Sequence, residues 1–486
     1  MAIAAPEGQL VEGYPITGTQ DAKGVVTETS AGTDTVRRHV RFGPIHIGPG
    51  ANVNALALNL PKLGQSGLIT RFAYNLEYAD GKIPGVDVIH LHHAVWATGN
   101  AQFPGGEEKT VFSVSKGFGW PVQAAGDWTL NHMIHNLTAT PADVFLTWDV
   151  DVIKEGSATA KRTRPAATIF MDVRSPEAYP VFDVLKGAGT QGKFQYPNQA
   201  PKAYAGGPIR NRFVVPTDLV LVGAAGHIHP GGLFADLTLT RKGKTVRLFR
   251  SSARYWEPAG PISWDMAMTS APDDWKVQVK KGDVLSVSAT YETKRGSWYE
   301  SMGIMNLSAA EGTDGADPFS GTFDRSGAVT HGSLAENDNH GGKPWGLPDA
   351  RTLPDGPVFG GKKVVTIGAF RMSQGDLGGG AKSSATRPPV VARGQRLTFL
   401  NLDAKADIYH SITSCKAPCN RATGVAYPIA DGHRIFDSGE LGFGPKLTTA
   451  AANVDRWSTP TSLTPGTYTY FCRIHPFMRG SFRVKG

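Results

Sequence analysis

The sequence predicts an all-β protein built from β-sandwich domains. Its 58 glycines and 33 prolines indicate many turns, and between the turns lie short runs that alternate apolar and polar residues, such as 143–153. No segment shows helical periodicity over a convincing length. Because the chain has 486 residues, several domains of ordinary size are expected.

The strand-like runs fall into three blocks, separated by stretches rich in Gly, Pro and polar residues. We expect an N-terminal arm over 1–35, a first β domain over 36–186 and a second over 187–310. The segment 311–358 is poor in apolar residues and is expected to be a long connection. The third β domain is expected over 359–486.

Composition and charge argue against several classes of protein. Hydrophobic residues make up 40% and charged residues 19% of the chain, which is typical of a globular protein. The net charge of +8 is scattered and no basic stripe carries interleaved aromatics, so no nucleic-acid partner is expected. No apolar run is long enough to cross a membrane, and the N-terminus shows no intact signal peptide.

The clearest motif lies close to the C-terminus. Residues 470–480 read YFCRIHPFMRG, which places Cys472, His475 and Met478 at C-x2-H-x2-M spacing. Upstream, His410 follows the strand-like run 397–402. Two imidazoles, one thiolate and a weak axial thioether are the ligands of type 1 copper. The sequence therefore predicts one type 1 copper held by these four residues.

This motif resembles the cupredoxin family over the last quarter of the chain, which implies a Greek-key β-sandwich. Phe471 and Arg473 flank the cysteine, whereas laccases and copper nitrite reductases have a histidine there that bridges to a second copper. Both of those assignments are therefore disfavoured. Cys415 and Cys419 are interpreted as a disulfide, since copper proteins commonly lie outside the reducing cytosol; free thiols or a second soft-metal site are the alternatives.

A second group of candidate ligands lies in the first two blocks. The first block contains His90, His92, His93, His132 and His135, and the second contains His227, His229, Met302 and Met305. Residues i and i+2 of a strand point to the same side, so His227 and His229 can hold one metal ion. A thioether such as Met302 suits a copper that cycles through the cuprous state.

This order of ligands resembles the copper type II monooxygenases over about residues 35–310, which implies two jelly-roll-like β-sandwich domains. It also implies an electron-transfer copper at His92, His93 and His135, and an oxygen-activating copper at His227, His229 and Met302. His132 competes with His135, and Met305 with Met302. His90 is a ligand, a donor to a ligand or a surface residue.

The two resemblances together imply an oxygen-dependent monooxygenase with one type 1 copper and two further coppers. The type 1 copper would supply electrons to the other two. Its expected partners are an external electron donor, dioxygen and an unknown small-molecule substrate, and an oligomer is compatible with the sequence. The alternative is a non-catalytic copper-binding or electron-transfer protein whose front sites are structural, store metal or hold zinc.

Three further expectations follow from the same residues. Copper implies an extracytoplasmic location, periplasmic or secreted. His331 and His340 lie in the long connection, either as an additional metal site or within polar turns. Candidates for the substrate pocket, by nearness in sequence alone, are Tyr255, Trp256, Trp264 and Tyr299.

Overall fold

The computed structural model confirms the all-β class. It describes residues 23–58, 60–86, 88–174, 181–204, 209–256, 264–320, 346–379, 384–406, 408–419, 435–442 and 454–486, with short pieces at 10–11, 14–15, 261, 325–327 and 329–330. Over these ranges the only helical segments are four short 3-10 turns, Ala160–Arg162, Leu377–Gly379, Ser384–Thr386 and Asp403–Ala406. Within the same ranges, no helix has the length and apolar character needed to cross a membrane.

The first unit, residues 23–166, is a sandwich of two sheets. Its strands, with two short ones before it, are β1 (Leu10–Val11), β2 (Tyr14–Pro15), β3 (Lys23–Ser30), β4 (Thr35–Ile47), β5 (Asn52–Ala57), β6 (Gly67–Glu77), β7 (Ile89–Thr98), β8 (Ala101–Gly105), β9 (Phe112–Ser113), β10 (Phe118–Val122), β11 (Thr129–Asn136), β12 (Ala142–Lys154) and β13 (Arg164–Pro165). One sheet has the order β13-β10-β6-β12-β4-β3 and the other β5-β11-β7-β8. Large aromatics fill the space between them; the rings of Trp96 and Trp148 lie 5.8 Å apart.

The second unit, residues 167–330, is also a sandwich. Its strands are β14 (Ala167–Asp172), β15 (Phe182–Val184), β16 (Lys193–Tyr196), β17 (Arg212–Val214), β18 (Leu219–Ile228), β19 (Gly232–Arg241), β20 (Lys244–Tyr255), β21 (Met266–Thr269), β22 (Val277–Val279), β23 (Val284–Glu292), β24 (Trp298–Ser301), β25 (Gly303–Glu311), β26 (Arg325–Ser326) and β27 (Val329–Thr330). The sheet β14-β25-β18-β22 faces the sheet β16-β23-β19-β20-β21-β27. The expected boundary at residue 186 stays a prediction, although β14, before it, pairs with β25.

The third unit, residues 346–486, carries the C-terminal motif. Its strands are β28 (Val364–Gly368), β29 (Arg371–Met372), β30 (Val390–Ala392), β31 (Thr398–Asn401), β32 (Thr413–Cys415), β33 (Arg456–Ser458), β34 (Gly466–Phe471) and β35 (Arg479–Lys485). They form two sheets, β29-β28-β31-β33 and β30-β35-β34-β32. Since β34 and β35 are an antiparallel pair, the loop 472–478 between them lies at one end of the sandwich.

Candidate metal centres

The four predicted C-terminal ligands are buried together at this end of the third unit. Cys472 Sγ lies 3.8 Å from His410 Nδ1 and 3.9 Å from His475 Nδ1. These three side chains are the one group of three or more His, Cys, Asp or Glu, among the described residues, whose ligand atoms all lie within 4.8 Å of one another. Two backbone hydrogen bonds, Cys472 N to Met478 O and Met478 N to His475 O, tighten the loop and bring Met478 to the group.

The surroundings of Cys472 favour its thiolate. The backbone N–H groups of Ser411 and His475 both donate to Cys472 Sγ at 3.3 Å. Burial raises the pKa of Cys472, but the interactions with His410 and the two amides outweigh burial and lower the pKa below its ordinary value. Two imidazoles, a thiolate and a thioether without carboxylates suit a soft transition-metal ion.

Asp403 orients one of the imidazoles, and sequence reasoning missed it. His410 Nε2 bonds to Asp403 Oδ2 at 2.9 Å, which leaves Nδ1 facing the sulfur. The same carboxylate accepts hydrogen bonds from the backbone N–H groups of Ala369, at 2.6 Å, and Phe370, at 3.0 Å. A carboxylate behind a ligating histidine is typical of metal sites, because it fixes the tautomer and the ring orientation.

Replacing Asp403 with asparagine is expected to lower the free energy of unfolding of the metal-free protein by about 1–3 kcal/mol. An amide nitrogen cannot accept, so at least one of the three donors loses its partner. The measurement is urea unfolding. As a control, Asp349→Asn removes a partly exposed carboxylate that binds Arg351 and is expected to change stability by less than about 0.5 kcal/mol. Equal effects of the two substitutions would contradict this role of Asp403.

The predicted pairing of Cys415 with Cys419 is confirmed, since the structure joins them in a disulfide. The guanidinium of Arg479, which is fully buried, donates to the carbonyl oxygen of Cys419 at 2.7 Å. Arg479 is also the first residue of β35. The disulfide loop is thus fixed to the strand that follows the ligand loop.

His475 is covered by the first unit. Its side chain is fully buried; its ring centroid lies 5.1 Å from that of Phe370 and 5.7 Å from that of His135 in β11. Gly50, with φ +61°, lies against both rings of the third unit: a Cβ there would collide with Phe370 and lie 3.4 Å from His475 Nε2. A candidate ligand in the third unit therefore contacts a candidate ligand in the first.

A β-bulge sets the directions of the first-unit histidines. β7 pairs with β11 so that His90 is opposite His135 and His93 is opposite Met133, with His92 as the extra residue between Leu91 and His93. A bulge places two successive residues opposite one. Leu91 and Ala94 belong to the hydrophobic core, so the intervening histidines are directed away from that core.

The competing histidines of the first unit lie in different surroundings. His132 lies between the core residues Leu130 and Ile134 in the alternation of β11, whereas His135 is on the other face. His90 is fully buried, so it is not a surface residue. Burial lowers the pKa of His135 to about 3, and burial together with His135 holds the pKa of His90 well below its ordinary value; both rings are therefore neutral, the form that ligates metal.

The structure does not bring His92, His93 and His135 into one group. His93 Nε2 bonds to Asn131 Oδ1 at 2.8 Å, while the His135 ring lies 5.3 Å from that of His90. The His92 ring lies 5.9 Å from the rings of both His90 and His93. The three-histidine electron-transfer site stays a prediction.

His227 and His229, the predicted ligands of the second unit, lie close together. Their ring centroids are 5.1 Å apart, and both are buried. His227 Nδ1 bonds to Glu108 at 2.9 Å and His229 Nδ1 to the carbonyl oxygen of Glu300. The Nε2 atoms of both rings are buried without a hydrogen-bond partner. In a metal-bound imidazole, one ring nitrogen is typically hydrogen-bonded to the protein and the other binds the metal ion.

Met302 and Met305 lie in different surroundings. Met305 pairs with Gly226 and points into the core of the second unit. Met302 belongs to a separate buried cluster with Met133 of the first unit. The Tyr291 hydroxyl accepts hydrogen bonds from the backbone N–H groups of His229 and Met302, at 3.0 and 3.1 Å, and so holds the two residues near each other.

The two groups of histidines meet between the units. The ring centroids of His92 and His229 are 4.9 Å apart. Trp264, buried between the units, lies 4.7–5.0 Å from the rings of His90, His92 and His229. Rings in contact thus run from His475, through the first-unit histidines, to His229.

A small cavity of about 50 Å³ opens at this junction. All three units line it, with His92 from the first, His229, Trp264 and Trp298 from the second and Arg473 from the third. Of the pocket candidates chosen by nearness in sequence, Trp264 lines it, whereas the Tyr255 hydroxyl is bonded to the carbonyl oxygen of Gly232 at 2.8 Å. His331 and His340 lie outside the described residues.

Comparison with known proteins gives weak structural similarities alone. No protein-family model and no curated protein matches the chain. The chain is similar to a mutant of amicyanin in its reduced state (21% identity, 29% of this chain and 97% of that chain, TM-score 0.14). It is also similar to N-glycanase F, with 11% identity over 62% of this chain and 100% of that chain and a TM-score of 0.25. A third similarity is to a Cu-containing nitrite reductase from Thermus scotoductus SA-01, with 12% identity over 96% of this chain and 99% of that chain and a TM-score of 0.16. Similarities at these TM-scores do not support a functional assignment.

Proposed function

We propose that this chain is a multi-copper oxidoreductase, in which a type 1 copper at His410, Cys472, His475 and Met478 passes electrons to the histidines between the first two units. The observation that carries the proposal is the burial of His475 against His135. Copper, when bound, supplies one-electron redox chemistry. His475 connects the third unit to the first, and the contacting rings beyond it reach His229.

The finer proposal is an oxygen-dependent monooxygenase. Its support is the pair of free Nε2 atoms of His227 and His229, the link of the His229 and Met302 backbones through Tyr291, and the cavity lined by His229. Monooxygenation inserts one oxygen atom of dioxygen into a substrate and releases the other as water, which requires two electrons from an external donor. The cavity lies beside His229 and would receive the substrate there. The Cys415–Cys419 disulfide supports an extracytoplasmic location.

The experiment that tests this function is copper analysis of the full chain together with oxygen uptake. We expect one type 1 copper and two further coppers, with oxygen consumed when a reductant is supplied. A chain that binds copper at the third unit alone and consumes no oxygen would overturn the monooxygenase and would support a simple electron-transfer protein.

Gly50→Ala is expected to slow electron transfer from the type 1 copper to the first-unit histidines roughly tenfold or more, because small displacements of docked groups are costly. A Cβ at this position collides with Phe370 and pushes the two units apart. The rate is followed by the recovery of the type 1 absorption after rapid reduction.

Gly64→Ala is the matched control. Gly64 has a similar backbone conformation, with φ +68°, but a Cβ there meets no atom within 4 Å. Both variants therefore carry the same kind of backbone strain, and Gly50→Ala alone perturbs the contact between units. Equal rates in the two variants would contradict the route through His475.

A further inference from the structure

The loop between β8 and β9 buries two adjacent carboxylates. Glu107 and Glu108 are 6% and 0% exposed, and Lys109 is 2% exposed. Lys109 Nζ lies 3.1 Å from Glu107 Oε1, and Glu107 Oε2 accepts a hydrogen bond from the backbone N–H of Leu91 at 2.9 Å. The charge of Glu107 is therefore compensated within the loop by Lys109, which is paired with Glu107.

Glu108 has a different environment. Its Oε1 accepts hydrogen bonds from the backbone N–H of Gly106 at 3.0 Å and from His227 Nδ1 at 2.9 Å. Its Oε2 is buried and has no hydrogen-bond partner. A buried carboxylate is costly unless a cation or a metal ion balances it. The residue that stands opposite Glu108 is His227, a candidate metal ligand.

His227 is tied to this carboxylate through Nδ1, and its Nε2 is buried without a hydrogen-bond partner. A ring that donates from Nδ1 to Glu108 has its lone pair on Nε2, where a metal ion would bind. The charge of the ion also balances the carboxylate. A cation at His227 Nε2 would therefore satisfy that atom and offset the charge of the buried Glu108.

Gly106 permits the close approach of this loop. A Cβ at this position would lie 2.7 Å from the carbonyl oxygen of His92 and 3.1 Å from both His227 Cε1 and Glu108 Oε2. Any side chain here would push the loop of the first unit away from the histidine of the second. The carboxylate reaches His227 because the backbone at 106 carries no side chain.

We propose that Glu108 is a positioning residue of a metal site that is completed across the first two units: its carboxylate fixes His227 with Nε2 free to ligate, and supplies negative charge for a copper ion at His227 and His229. This inference rests on the proposed function in taking those two histidines as ligands. It adds that the first unit contributes to the second unit's site.

The test is the affinity of the full chain for copper, measured by competition with a chelator, in Glu108→Gln and Glu107→Gln. Glu108→Gln keeps an oxygen acceptor and removes the charge, so we expect the copper that depends on His229 to bind roughly tenfold to a hundredfold more weakly. Its electron paramagnetic resonance signal is also expected to change. Glu107→Gln is expected to bind this copper as the unmodified chain does, although it loses the ion pair with Lys109.

The outcomes separate this inference from the proposed function. Unchanged affinity in Glu108→Gln, or an equal loss in Glu107→Gln, would overturn the role of Glu108 alone. If His229→Ala binds as much copper as the unmodified chain, the proposed function is overturned as well. If Glu108→Gln does not fold, Glu108→Asp takes its place: this variant keeps the charge on a shorter side chain, and affinity equal to that of the unmodified chain would contradict the positioning role.

Discussion

Replacing Cys472 with serine is expected to abolish the intense visible absorption of the copper-loaded protein. This absorption arises from the bond between thiolate and copper in a type 1 site. Cys472 is the one free cysteine among the described residues, it is fully buried, and two backbone amides donate to its sulfur. A serine hydroxyl does not ionise at neutral pH and is a poor ligand for a soft ion.

The double variant Cys415→Ser/Cys419→Ser is the control for this experiment. It removes the disulfide but none of the proposed ligands, so the absorption is expected to remain, while the free energy of unfolding falls by about 2 kcal/mol. Copper analysis of Cys472→Ser is expected to show the loss of one copper per chain. Visible absorption that survives in Cys472→Ser would contradict the type 1 assignment.

Replacing His227 or His229 with alanine is expected to abolish oxygen uptake while the visible absorption of the type 1 copper remains. Each variant removes one of the two free Nε2 atoms, and neither residue belongs to the group formed by His410, Cys472 and His475. His46→Ala is a suitable control, since His46 is exposed and its imidazole bonds to Asp143. Loss of the type 1 absorption in His229→Ala, or uptake at the unmodified rate, would contradict two separate sites.

The two methionines provide a sharper comparison at the same site. Met302→Ala is expected to abolish oxygen uptake, because Met302 is the proposed thioether ligand and lies outside the core of the second unit. Met305→Ala is expected to cost about 2–5 kcal/mol of unfolding free energy, because it opens a cavity in that core, while the folded variant still consumes oxygen. Oxygen uptake that is lost in Met305→Ala and retained in Met302→Ala would show that Met305, and not Met302, acts at the site.

The sequence predicted the fold class and the C-terminal group well, for a physical reason. Cys472, His475 and Met478 lie on one loop, so their spacing alone places them together, and the alternation of short runs is a local property of strands. His410 was found because it follows a strand whose end lies beside that loop. None of these inferences needed the packing of one unit on another.

The front sites were harder to predict, because they depend on contacts between units. Adjacent histidines on a regular strand point to opposite sides, and the bulge that changes this in β7 leaves no clear mark in the sequence. Nothing in the sequence around Glu108 indicated that the structure buries this carboxylate against His227. Asp403 likewise belongs to no sequence motif, since the fold brings its three hydrogen-bond donors, from Ala369, Phe370 and His410, to the carboxylate.

The most direct test of the central claim is a crystal structure of the copper-loaded protein, with anomalous scattering recorded at the copper edge. The account predicts one copper at His410, Cys472, His475 and Met478, a second at His227 and His229, and a third at the first-unit histidines. It also predicts that the ring of His135 contacts His475. Copper at the third unit alone, or His475 exposed to solvent and away from His135, would contradict it.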